Sequence, residues 1–213
     1  MNQKSIIWDW NGTLLADVEY CIKIMNVLLS ERTLPLLNAD RYREVFDFPV
    51  KKYYQDIGID FTKDPFSDIG LRFMDMYLQN VDSLELVDNA HEVLSIFKQQ
   101  NYSQFILSAM EQQALYDAVH QRKIGSYFSR IDGIDNHYGG GKAELAKTLI
   151  STHHLDKKNT WLIGDTLHDA EVAGIIGCNC LLVSYGHQSK SRLKSSGLPV
   201  FDNLSDVKQF LSQ

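Results

Sequence analysis

Asp9 closes the first apolar run of the chain, Ile6-Ile7-Trp8, and Trp10-Asn11-Gly12-Thr13 follow it. A carboxylate at the carboxyl end of a strand, ahead of a Gly-Thr turn, suits a nucleophile that handles phosphate. The carboxylate attacks, and the N–H groups of Gly12 and Thr13 cradle the anion. Three further groups of polar side chains recur down the chain after short apolar or glycine-rich runs. Ser108 follows Phe105-Ile106-Leu107, Lys142 follows Gly139-Gly140-Gly141, and Asp165 follows Trp161-Leu162-Ile163-Gly164, with Asp169 four residues on. Asp9, Asp165 and Asp169 are oxygen donors suited to a hard divalent cation, and Mg²⁺ takes only a few carboxylates beside phosphate and water. Ser108 and Lys142 are a neutral and a cationic donor for phosphate oxygens.

Each residue also has an ordinary structural reading. Asp9 fits a strand-end turn. Ser108 fits the N-cap of the following helix, with Glu111 completing a capping box. Lys142 fits a solvated helix-start lysine, although a cation in the first turn opposes the helix dipole. Asp169 fits a favourable first-turn acid. His168 and His187 fit exposed or satisfied histidines. His91, His120, His137, His153 and His154 show no ligand spacing, and Cys178/Cys180 lacks further metal ligands nearby.

Hydrophobic periodicity predicts the elements that must position these groups. Residues 5–10 read as a buried strand. Val18, Cys21, Ile22, Met25, Leu28 and Leu29 then recur at helical spacing, and helical signals continue to about Val87, broken at Pro35, Pro49 and Pro65. From there helices are predicted at 89–100 (Asn89 as N-cap), 111–123, after Gly141, 169–176 and 205–211. Strands are predicted at 103–108, 131–134, 161–164 and 178–183, with a last extended piece at 199–201. Strand and helix alternation argues for a parallel sheet covered on both faces. Its carboxyl ends share one edge, where ligands bind in such sheets. The roughly 75 helical residues after the first strand read as an inserted lobe. The expected organisation is an α/β Rossmann-like core of residues 1–15 and 88–213, with a helical cap of residues 16–87.

The four groups, in this order, resemble the motifs of the haloacid dehalogenase-like phosphohydrolases. "WDWNGTLL" is similar to their first motif, "FILSAM" to the second, "GGGKAE" to the third and "GDTLHD" to the fourth, over residues 5 to about 186. "HYGGGK", "GDTLHDAEVA" and "SYGHQS" resemble the phosphoglycolate-phosphatase-like branch with its helical cap. The resemblance implies an attack by Asp9 on phosphorus to give an aspartyl-phosphate. It implies Mg²⁺ held by the Asp9 carboxylate, the Asn11 main-chain carbonyl and Asp165, with Asp169 orienting water or Lys142. It implies phosphate oxygens held by Ser108, Lys142 and the Gly12, Thr13 and Ala109 amides. The dehalogenases use no Mg²⁺, so Asp165 and Asp169 argue against that reaction. Phosphonate cleavage needs a Schiff-base lysine, and nothing marks Lys23, Lys51 or Lys52 as desolvated. A receiver-type signalling domain lacks the helical insertion and "GDTLHD".

Asn11 departs from the family pattern, in which the residue two after the nucleophile is usually an aspartate that protonates the leaving oxygen and then activates water. An amide does neither, and general acid–base help is typically worth about 10²–10⁴ in rate. The expectation is a phosphatase with catalytic residues Asp9, Asn11, Ser108, Lys142 and Asp169. The alternative is a phosphate-ligand binder of little turnover. The fitting substrate is a small phosphorylated metabolite, phosphoglycolate-like by family. Arg43 and Lys51 in the aromatic stretch 42–54 are candidate contacts to its carboxylate.

Composition agrees with an ordinary globular chain of 213 residues, 44% hydrophobic and 23% charged. A net charge of −6 without a basic run excludes nucleic acid as an expected partner. No apolar stretch reaches the roughly 20 residues of a membrane span. Met1-Asn2-Gln3-Lys4 runs into a short apolar segment without the pattern of a secretory leader. Cys21, Cys178 and Cys180 have no framework spacing. A cytoplasmic protein, monomer or homodimer, is expected.

Overall fold

The computed structural model describes residues 3–134 and 141–213. Its centre is β1 (Ser5–Trp8), whose four residues are all buried. That burial follows from position, because a strand with parallel neighbours on both sides and helices on both faces meets no solvent. The other strands are β2 (Ser103–Glu111), β3 (Arg130–Ile134), β4 (Thr160–Gly164), β5 (Asn179–Val183) and β6 (Val200–Phe201). They form one parallel sheet in the order β3-β2-β1-β4-β5-β6. Trp8 pairs in register with Ile106 on one side and Ile163 on the other. Strand order reverses at β1, so its carboxyl end opens on a switch point between diverging connections.

Ten α-helices are described. Between β1 and β2 run α1 (Val18–Ser30), α2 (Ala39–Val45), α3 (Val50–Asp56), α4 (Phe66–Asn80) and α5 (Ala90–Gln99). Pro49 and Pro65 stand at the N-caps of α3 and α4, where a missing N–H costs nothing. The chain enters and leaves the segment α1–α4 side by side. Leu15 bridges Leu86 antiparallel, Ala16 N–H donates to the Glu85 carbonyl and Val87 N–H to the Leu14 carbonyl, both at 3.0 Å.

The sheet's remaining helices are α6 (Gln112–Gln121), α7 (Lys142–Thr152), α8 (Leu167–Ile176), α9 (Lys190–Lys194) and α10 (Leu204–Leu211). One face buries Ile6, Trp8, Ile106 and Ile163 against α5, α6 and α10, and that core continues into α1–α4. The other buries Ile7, Phe105 and Leu162 against α7 and α8.

Several sequence expectations shift. Asn89 stands at the N-cap of α5 but with φ 63°, and its side chain makes no cap bond. It reaches Ser205 instead. β2 runs on past Ser108 to Glu111 after a register irregularity, so α6 starts at Gln112. Glu111 is the N-cap there, accepting from Gln113 N and Ala114 N. Ser108 is therefore not a helix cap. α8 starts at Leu167 because Thr166 and Asp169 form a capping box across its first turn. The short α9 has too few apolar positions to show a period.

Candidate active site

Asp9 leaves the end of β1 with its N–H bonded to the Ile163 carbonyl of β4 at 2.9 Å. This fixes the carboxylate between the ends of two central strands. The turn after it depends on Gly12, which adopts φ 72° and lies against Asp165 and His187 so closely that a Cβ has no room. Thr13, fully buried, places its hydroxyl 3.2 Å from Asp9 Oδ2 and 3.1 Å from Asp165 Oδ1. Lys142, at the N-terminus of α7, donates to Asp9 Oδ1 and, at 2.6 Å, to Asp169 Oδ1. Asp169 serves two masters, the ion pair and the α8 capping box, where its Oδ2 accepts from Thr166. Ser108 Oγ faces Asn11 Oδ1 at 3.4 Å and accepts from Met110 N–H.

The sequence-predicted groups Asp9, Asn11, Ser108, Ala109, Lys142, Asp165 and Asp169 all line one cavity of about 610 Å³, within the usual range for a small-molecule site. Gly12 and Thr13 form the turn beneath it. Of the glycine run before Lys142, Gly139 and Gly140 lie outside the described residues, as does His137. Arg43 and Lys51 do not line the cavity. Arg43 is spent on the carbonyls of Gly186 and Tyr185, and Lys51 sits over the rings of Phe61 and Phe66.

Sequence reasoning missed Asp17. It stands just before α1, where it reads as an ordinary N-cap, yet its side chain makes no cap bond. It turns back to the Asp9 loop and accepts from Asn11 Nδ2 at 2.8 Å, Gly12 N–H at 2.8 Å, Tyr77 O–H at 2.8 Å and His187 Nε2 at 3.2 Å, with the Cys21 thiol at 3.8 Å. Asn11 Nδ2 also lies 2.8 Å from the Tyr77 oxygen. The side chain of Asn11 is thus tied on its nitrogen side, with its oxygen turned to Ser108. His187 completes the network through Tyr42 at 2.8 Å, and its backbone N–H donates to Asp165 Oδ2 at 2.5 Å.

Charge is crowded here. The oxygens of Asp9, Asp165 and Asp169 come within 4.8 Å of one another, all buried. Burial, with Asp9 and Asp169 beside it, pushes the Asp165 carboxyl up to about 8. Burial raises Asp9 to about 6, with Lys142 limiting the rise. Burial alone would discharge Lys142, but Asp169 and Asp9 outweigh it and hold the ammonium protonated. Burial opposes the His187 charge too, and Asp17 outweighs it, raising the imidazole to about 9. Asp17 and Asp169 lie below the ordinary carboxylate value, because their cationic and hydrogen-bonding partners overcome burial. An excess of buried carboxylate oxygen over cation is the environment a hard divalent ion fits.

These shifts set the sign of a pH effect on the metal-free protein. Asp9 and Asp165 hold protons above the ordinary 3.8, and His187 above the ordinary 6.5, in the folded state. Their stability is fully present below those ordinary values and is lost as pH rises through about 6, 8 and 9 respectively. Asp17 and Asp169 contribute stability that is lost only as pH falls below the carboxylate range. In EDTA, the melting temperature is expected to fall as pH is raised from about 5 to about 9. Mg²⁺ is expected to restore it, most strongly at the alkaline end, where the carboxylates are ionised. A melting temperature that stays level or rises over this range contradicts the charge assignment.

The family model described as haloacid dehalogenase-like hydrolase matches residues 6–183. No curated protein sequence matches the chain. Among solved structures, a haloacid dehalogenase-like family hydrolase from Streptococcus pneumoniae superposes with a TM-score of 0.82 at 19% identity, covering 98% of each chain. A predicted phosphatase from Clostridium acetobutylicum gives 0.80 at 15% identity, covering 99% of each. A predicted phosphoglycolate phosphatase from Haemophilus somnus gives 0.78 at 19% identity, covering 100% of this chain and 99% of its own. At these identities the likeness is one of fold.

Proposed function

Because the chain belongs to the haloacid dehalogenase-like hydrolases, we propose that it is a Mg²⁺-dependent phosphomonoesterase that works through an aspartyl-phosphate on Asp9. One observation carries this reading. Asp9 lines one cavity with an ammonium, two further carboxylates and a serine hydroxyl, carried by neighbouring parallel strands or the turns and helices after them. Asp9, Asp165 and the main-chain carbonyl of Asn11 would hold Mg²⁺, with Asp169 orienting Lys142 as it does through their 2.6 Å ion pair. The ion, when bound, neutralises phosphate and carboxylate charge and so lets two anions meet.

The protein's own groups supply the remainder. Asp9 attacks phosphorus, and the bond to the leaving oxygen breaks. Lys142, Ser108 and the amides of Gly12, Thr13 and Ala109 hold the three spectator oxygens, which carry the spread charge of the transition state. Water then attacks phosphorus, the P–O bond to Asp9 breaks, and the water's proton leaves with the released phosphate, which frees the Asp9 carboxylate. Nothing at position 11 donates a proton in the first step or accepts one in the second. The leaving group departs as its anion, and the second step is the slower. Residues 16–87 act as the cap that closes over the substrate and excludes water.

With Mg²⁺, release of inorganic phosphate from acetyl phosphate and p-nitrophenyl phosphate is the expected result. EDTA abolishes it and added Mg²⁺ restores it. A burst of p-nitrophenol equal to the enzyme concentration is expected ahead of steady turnover. Absence of release from both compounds overturns this reading. The locked Asn11 amide favours a second reading, a binder of phosphorylated ligands with little turnover. Saturable phosphate binding without release from either compound would select it.

A further inference from the structure

The proposed phosphatase reading places the phosphoryl group at Asp9 and leaves open what the ester carries. The cavity wall answers this by composition. The helical segment contributes Phe46, Phe48 and Tyr54 from the α2–α3 side, and Phe66, Phe73 and Met74 from α4. Among the described residues of 16–87, the charged side chain that lines the cavity is Asp17, already held by Asn11, Tyr77 and His187; hydroxyls such as those of Tyr42 and Tyr77 and the Cys21 thiol are the other polar groups. The charges of α4 point elsewhere: Arg72, for instance, pairs with Glu31.

Part of the apolar stripe of α4 is core packing, as for Phe66 and Phe73, but Leu71 and Met74 are not part of it. Leu71 lines the cavity while 61% exposed, and Phe73 and Met74 are only half-buried. A carboxylate carried into this wall loses its water, and the protonated His187 beside Phe46, ring centroids 4.9 Å apart, is already paired with Asp17 at 3.2 Å, so the exchange is unfavourable. The cations of the wall's own segments are spent elsewhere, Arg43 on carbonyls, Lys51 over rings, Lys52 on Asp56 and Arg72 on Glu31.

A second observation converges on the same substrate class. The Asn11 amide has no proton to give a leaving oxygen, so esters of weakly acidic alcohols leave badly while phenolic oxygens depart as anions. We infer, resting on the phosphatase reading, that the substrate is the phosphate monoester of an aromatic, uncharged phenol-type alcohol. Its ring lies among Phe46, Phe48, Tyr54, Phe66 and Phe73, and its phosphoryl group at Asp9.

The test compares esters of similar leaving ability: phenyl, 2-naphthyl and 4-carboxyphenyl phosphate, with phosphoglycolate and acetyl phosphate alongside. Expected kcat/KM is about tenfold higher for 2-naphthyl than for phenyl, from the extra apolar area buried. It is at least about tenfold lower for 4-carboxyphenyl, from the desolvated carboxylate. Phosphoglycolate is poorer still. Leu71→Arg, at the exposed mouth, is expected to move the carboxyphenyl-to-phenyl ratio up by about tenfold. A change in folding lowers both and leaves the ratio alone. Equal rates across the aryl series, or a preference for either carboxylated ester, overturns the inference while the phosphatase reading stands. Release from none of the five, acetyl phosphate included, overturns both.

Discussion

Asp9→Asn is expected to lower phosphate release by at least about 10⁴-fold while leaving the metal-free protein as stable as before, or more stable. The loss follows from the role. An amide does not attack phosphorus and form an acyl phosphate, and removing the nucleophile of a covalent mechanism removes the step itself. The stability sign follows from electrostatics. Asp9 is one of three crowded buried carboxylates and shares the Lys142 ammonium with Asp169, and its charge raises Asp165, whose cationic neighbour is His187. Taking one charge away relieves that repulsion, and Lys142 keeps Asp169 at 2.6 Å. The volume is conserved, and the Thr13 hydroxyl keeps Asp165 as an acceptor at 3.1 Å. Thermal melting in EDTA and a phosphate-release assay on the same preparation check both halves. A strongly destabilised variant with only modest loss of rate would mean that Asp9 is a structural turn residue. The opposite pattern is the usual signature of a site where function is kept at the expense of stability.

The parts of this site that could be read in sequence are those written as short local patterns. Each of Asp9, Ser108, Lys142 and Asp165 follows a run that periodicity or glycine content marks, and parallel topology then brings them to one edge. Strand positions were legible because buried parallel strands are nearly continuous apolar runs. Asp17 was not legible, because an acid before a helix has an ordinary role there. Its actual partners, Asn11, Tyr77 and His187, are separated by 6, 60 and 170 residues. The cavity wall was hidden for a related reason. Phe66, Phe73 and Met74 recur at helical spacing, and a helical stripe looks the same whether it faces a core or a ligand. Arg43 and Lys51 show the converse: a cation close in sequence to aromatic residues says nothing of where the side chain is spent. Ser108 fits a phosphate contact and equally, in sequence, a cap that Glu111 in fact provides; only the extension of β2 decides against the cap.

Asn11→Asp is expected to raise kcat/KM for alkyl phosphates by about 10²-fold and for aryl phosphates by little, since kcat/KM reports transfer to Asp9 and only poor leaving groups need a proton there. For aryl phosphates kcat should rise instead, because water attack on the aspartyl-phosphate gains a base, and the phenol burst should shrink. The structure adds a cost. The new carboxyl stands where the amide nitrogen lay, 2.8 Å from Asp17 Oδ2. Two carboxylates at that distance do not both ionise, so the pair keeps one proton. That proton is what makes the new residue an acid near neutral pH. His187, already protonated against Asp17, and the Tyr77 hydroxyl hold the charge that remains. Losing the amide donor and crowding a second acid into a buried network is expected to lower stability by about 1–3 kcal/mol. Thermal melting of the variant beside the parent checks that cost, and a leaving-group series checks the gain. If alkyl phosphates gain nothing although the variant is folded, the proton at the leaving oxygen comes from another group, and the amide at position 11 is not what limits the enzyme.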